Sequence, residues 1–195
     1  MCIELFKEVG DLNLAQQGFA NFGDDEIQQI GAALSSDVLF RWLELADVQS
    51  AKTIKDSIEM GWRAHPNPTL RLSLDNIVHH FSSIREALDA AQKLVLEDPA
   101  YGGAWYLMAV CYLALNETQA ALEAANKAVE LNPRHYKAMS VQGTIQLSMD
   151  QYTLAAQILG DCVKLDPWSP RVAEELSKAR YSIHNTEMTH QEFRV

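Results

Sequence analysis

A chain of 195 residues, 48% hydrophobic and 22% charged with a formal net charge of -10, has the size of one core-bearing domain or a short repeat array. The negative charge is expected to keep it off phosphate backbones, which nucleic-acid binders meet with clustered Lys and Arg, and no apolar run reaches the ~18–20 residues of a membrane helix. Nine Gly and six Pro favour helices over a turn-rich β fold, while Glu4, Lys7 and Glu8 argue against a secretory leader and for a cytoplasmic chain with Cys2, Cys111 and Cys162 reduced.

Residues 1–35 read as a helical N-terminal segment, with helices expected around Leu14–Phe22 and Asp24–Leu34. Asp24, Asp25 and Glu26 place negative charge at the second helix start, as the helix dipole favours. The apolar residues Leu14, Phe19, Phe22, Ile27, Ile30 and Leu34 suit either a cap or a homo-oligomer contact with a second copy. Residues 36–66 follow as a diverged helical hairpin, with helices around Ser36–Asp47 and Ser50–Ala64 ending before Pro66.

From there a period dominates. Pro99, Pro133 and Pro167 are 34 residues apart, each after Asp98, Asn132 or Asp166. Ala87, Ala121 and Ala155 keep the same interval, as do Val95, Val129 and Val163. Proline cannot continue a helix and disfavours helical geometry before it, so each one marks a helix end. Between Pro99 and Pro133 the spacing predicts helices over Gly103–Ala114 and Gln119–Leu131, joined by a turn at Asn116-Glu117-Thr118.

This unit resembles a tetratricopeptide repeat. Trp105, Met108, Ala109 and Tyr112 fill the first-helix pattern, Ala121 and Ala128 the small positions of the second helix, and Pro133 the close, while Ala125 replaces the usual aromatic. The resemblance implies an all-α fold, an α-α superhelix of stacked antiparallel hairpins. Its units are residues 67–101, 102–135 and 136–169. In the first, Asp75 stands where a small residue is usual; in the third, Met139, Gln142 and Gln146 depart from the pattern. A capping helix over 170–183, with Val172, Leu176, Ala179 and Ile183 spaced to cover the last unit, precedes a flexible tail at 184–195.

In this family the first helix of each hairpin lines a concave groove. The resemblance places there Leu72, Asn76 and His79 from the first unit, Tyr106, Val110 and Leu113 from the second, and Lys137, Thr144 and Leu147 from the third. The implied function is a non-catalytic adaptor or assembly factor that binds a peptide or amphipathic helix of a partner protein. A secretion-type chaperone for one exported client is the alternative. Co-chaperones of the family grip a terminal carboxylate with five polar residues; Asn76 and Lys137 match, but Leu72, Leu107 and Val141 occupy the other three positions.

No residue set asks for a cofactor or a metal. His79 and His80 are adjacent, so on a helix they point about 100° apart and cannot easily serve one ion with Asp75. Trp42, Trp62, Trp105 and Trp168 are expected in cores. No phosphate loop, nucleophile elbow or zinc-protease pair is present, so no enzyme activity is expected.

Overall fold

The computed structural model describes residues 36–46, 48–80 and 83–192. Among them there are helices and no strand. The helices expected within residues 1–35, with the contact assigned to that segment, lie outside the described residues, as do Cys2 and Phe193 to Val195.

The chain divides into two compact units. The first contains α1 (Ser36–Leu45), α2 (Val48–Arg63) and the short turn Asp166–Trp168. Leu39, Leu43 and Ala46 recur at four and three residues, as do Ala51, Ile54 and Ile58, and all are buried. That stripe is what an amphipathic helix presents to a neighbour. Polar contacts add direction: Lys55 Nζ pairs with Asp166 Oδ2 at 2.6 Å, and the Trp168 indole N–H donates to Leu43 O at 3.0 Å. The Asp166 side chain is buried, so the ammonium offsets the cost of taking its charge out of water.

The second unit runs through α3 (Pro68–His80), α4 (Ile84–Glu97), α5 (Gly102–Ala114), α6 (Thr118–Leu131), α7 (Tyr136–Ser148), α8 (Tyr152–Leu165) and α9 (Pro170–Glu192). Each helix packs on the next in sequence, and α5 with α7, and α7 with α9, also adjoin. These are stacked helical hairpins, the arrangement the 34-residue period implies.

Two kinds of turn set that period. Inside a hairpin the chain reverses through a left-handed residue, Asn116 (φ 60°) or Asp150 (φ 58°), again 34 positions apart. Around Asn116 the Glu117 N–H reaches back to Tyr112 O (2.9 Å) and the Asn116 N–H to Leu113 O (3.0 Å), satisfying the last carbonyls of α5. Gln151 and Asp150 repeat the pattern after α7. Asn and Asp tolerate this geometry better than other residues with a Cβ.

Between hairpins the Asx-Pro pairs act. Asp98, Asn132 and Asp166 each accept, through Oδ1, the N–H two residues on, at 2.8, 3.1 and 3.2 Å. The carboxylates have a second oxygen to use. Asp98 Oδ2 accepts from His65 Nε2 at 2.7 Å, while His65 Nδ1 accepts the Asn67 N–H. That bond, with the Ala100 N–H, holds the Asp98 carboxyl below the usual range.

Small residues let the helices close up. Ala104, Ala109, Ala121, Ala125, Ala128, Ala138 and Ala155 have no exposed surface. Gly143 is an extreme case. A Cβ built there would lie 2.5 Å from Cγ and Cδ2 of Leu159, itself fully buried. The glycine therefore stays in mid-helix, where it costs about 1 kcal/mol against alanine, because the Leu159 side chain fills its place.

One boundary differs from expectation. α9 does not stop at Ile183 but continues to Glu192, through residues assigned from sequence to the tail. The segment Ser182–Glu192 contains neither Gly nor Pro to end a helix, and Thr186 Oγ1 donates back to Ser182 O.

Candidate functional site

Helix α7 adjoins both α5 and α9, and α5 differs from the rest. Its 13 residues, GGAWYLMAVCYLA, contain no charged side chain. Ala104, Met108, Ala109 and Cys111 point into the core. Burial pushes the Cys111 thiol up, away from the reactive thiolate. The remaining apolar side chains are only partly covered: Tyr106, Leu107 and Leu113 are half-buried and Val110 is 36% exposed. An all-apolar helix normally lies buried on every side.

α5 is held firmly at both ends. The Trp105 indole N–H donates to Pro99 O at 2.8 Å, and Tyr112 OH accepts from Gln92 Nε2 at 2.9 Å. On the α7 side the Tyr106 ring packs against His135, with centroids 4.8 Å apart and planes tilted 38°. His135 is buried and caps α7, its Nδ1 accepting the Ala138 N–H at 3.3 Å. Nε2 therefore carries the ring proton. Loss of hydration pushes the imidazole down to about 3, so the ring is neutral at ordinary pH.

α7 is polar by comparison, and its inner positions are taken up by α9. Ser140, buried, accepts from Arg171 Nη2 at 2.6 Å. Thr144 Oγ1 lies 2.8 Å from both Ser140 O and Glu175 Oε2. Arg171 Nη1 pairs with Glu175 Oε1 at 3.1 Å and closes the network. On the other side Gln142 Nε2 donates to Asn126 Oδ1 at 2.7 Å.

The residues assigned from sequence to the groove are thus distributed as follows. Tyr106, Val110 and Leu113 share α5 and adjoin the helix carrying Lys137, Thr144 and Leu147. Lys137 and Leu147 are half-buried, and Thr144 is engaged by Glu175. Leu72, 58% exposed, and Asn76, exposed, stand on α3, whose Leu70, Leu74 and Ile77 join the same core. His79 is near the end of α3, and its side chain lies outside the described residues.

Arg171, Glu175 and His135 were not among the sequence candidates. Arg171 was findable, since it falls 34 residues after Lys137 and so at the same position of the next first helix. His135 carried no such signal, because histidine is not a favoured cap. Of the tryptophans, Trp62 is half-buried near Phe40 at 6.3 Å, Trp105 and Trp168 are half-buried with their indoles bonded, and the Trp42 side chain lies outside the described residues. Among the described residues no three His, Cys, Asp or Glu side chains stand together as a metal site, and no helix is long and apolar enough to cross a membrane.

Hairpins of 13- and 14-residue helices at a 34-residue period, closed by Asx-Pro turns, have the architecture of tetratricopeptide repeats. The tetratricopeptide repeat model matches residues 103–135. Solved structures share the fold. The first TPR domain of Spaghetti (RPAP3), bound to the HSP90 peptide SRMEEVD, is 22% identical with a TM-score of 0.56, over 59% of this chain and 93% of that one. The Sgt2 TPR domain from Aspergillus fumigatus is 18% identical with a TM-score of 0.55, over 65% and 85%. MamA is 18% identical with a TM-score of 0.53, over 87% and 90%. No curated protein matches the chain by sequence.

Proposed function

We propose that this chain is a non-catalytic protein-interaction module, an adaptor or assembly factor, that takes an apolar peptide or amphipathic helix of a partner on the face of α5. The observation that carries the reading is the state of α5. Thirteen residues without a charge leave Tyr106, Val110 and Leu113 incompletely covered. Covering such a surface yields about 25 cal/mol per Å² before association costs are subtracted. A half-buried tyrosine amid aliphatic side chains is the composition from which binding hot spots are built.

The fold supports the class of function. Spaghetti's domain holds a peptide from HSP90 in its solved complex. The partner proposed here has different chemistry. With leucine or valine at Leu72, Leu107 and Val141, the polar grip on a terminal carboxylate is incomplete, so apolar contact rather than charge is assigned the main role.

The test is capture of partners by the full chain and by Tyr106→Ala plus Leu113→Ala, each checked for an intact helical spectrum. The expected result is a partner bound by wild type, lost from the double variant, and able to slow amide exchange in α5. A partner retained equally by both, or one protecting other helices, overturns the assignment.

A further inference from the structure

We infer that His135 is the positioning residue of the α5 face, holding Tyr106 in one orientation and tying that orientation to the start of α7. The inference rests on the reading above, which makes Tyr106 a contact for a partner.

The cap alone does not explain a histidine here. Ser, Asp or Asn would accept the Ala138 N–H with a smaller side chain and without burying a second ring nitrogen. What the imidazole adds is a flat, rigid ring, and that ring stands 4.8 Å from the Tyr106 ring, within the range of a tilted aromatic pair. The bond from Ala138 N–H to Nδ1 fixes the ring's tilt, and burial fixes its place. One rigid group therefore sets both the first turn of α7 and one side of the Tyr106 slot. Tyr106 is half-buried on a face with no charged neighbour in its own helix, where an unpinned ring would keep rotamer freedom to be lost on binding. Burial keeps the imidazole neutral, so the pair is the same throughout the physiological pH range.

The experiment uses the full chain with ¹³C-labelled tyrosine, with Tyr106→Phe to assign the Tyr106 signals. His135→Asn keeps a good cap and removes the ring; His135→Phe keeps a ring and removes the cap. In wild type, Overhauser contacts join the Tyr106 and His135 rings. In His135→Asn the Tyr106 ring shifts are expected to move toward those of an exposed tyrosine while the fold holds. His135→Phe is expected to keep the displaced shifts at lower stability. The captured partner is expected to bind His135→Asn roughly three- to tenfold more weakly, the cost of ordering about one side chain. Tyr106 signals unchanged in His135→Asn overturn the inference, as does a partner bound equally by His135→Asn and wild type. If His135→Phe does not fold, His135→Asn decides alone. If Tyr106→Ala plus Leu113→Ala retains the partner, the face assignment fails instead, and the ring signals still decide the role of His135.

Discussion

α5 and α7 are both 13 residues long, stand 34 positions apart and hold the same place in consecutive hairpins, yet their polarity and burial run in opposite directions. α5 is nearly all apolar and leaves Val110 exposed. α7 carries Ser140, Gln142, Thr144 and Gln146, yet buries Tyr136, Ala138, Ser140, Val141, Gly143 and Ile145. The polar helix is covered because its neighbours supply partners: Arg171 and Glu175 from α9, Asn126 from α6. Among the described residues no buried side-chain polar atom lacks a hydrogen bond. The apolar helix leaves Tyr106 and Leu113 only partly buried and Val110 36% exposed, although Tyr106 and Leu113 pack against the core and Tyr106 against His135. A repeat register fixes where a helix goes; the identity of its side chains decides whether it is covered from within.

The comparison can be broken most forcefully at α7. Leu159→Ala empties the space against Gly143 and should cost about 2–5 kcal/mol in denaturant unfolding. Gly143→Ala introduces a Cβ into the Leu159 side chain and should cost about 1–3 kcal/mol, whereas Gly160→Ala, where nothing lies within 4 Å, should stabilise slightly. Equal effects of the two glycine changes would refute the close approach.

The junction of the two helices should respond to acid. His135 is held near 3 in the folded chain, against an ordinary value of 6.5, so below that value the unfolded chain binds a proton the folded one does not. Stability from this group is complete above pH 6.5 and falls as pH drops toward 3, by at most about 1.4 kcal/mol per unit. His135→Asn should flatten the slope between pH 6 and 4; an unchanged slope contradicts the burial of a neutral ring.

Finer effects separate the two faces. Thr144→Val deletes the bond to Glu175 and should cost about 1 kcal/mol. Val110→Ser on α5 should change stability by less than about 0.5 kcal/mol. A larger loss from Val110→Ser than from Thr144→Val would reverse the contrast.

Much of the architecture was legible in the sequence. The 34-residue proline and alanine series put the hairpins in place, and the pattern gave α5 as Gly103–Ala114 against the observed Gly102–Ala114. The Asx residues before each proline were visible as a pattern, but their second oxygens were not, since His65 and Lys55 meet Asp98 and Asp166 from 33 and 111 residues away. The engagement of α7 was missed for a related reason. Spacing tells which side chains share a face, and Ser140 and Thr144 do, but not that Arg171 and Glu175 reach across to them. The end of α9 was missed because polar residues without periodicity read as tail when no breaker marks the stop.

Site-specific photo-crosslinking shows directly whether a partner binds the partly exposed face of α5. A photoreactive phenylalanine analogue is placed at Val110, 36% exposed, and separately at Leu96 on α4, 81% exposed. The captured partner is expected to crosslink through position 110 and not through the more accessible position 96. Crosslinking through 96 alone, or equally through both, would contradict it.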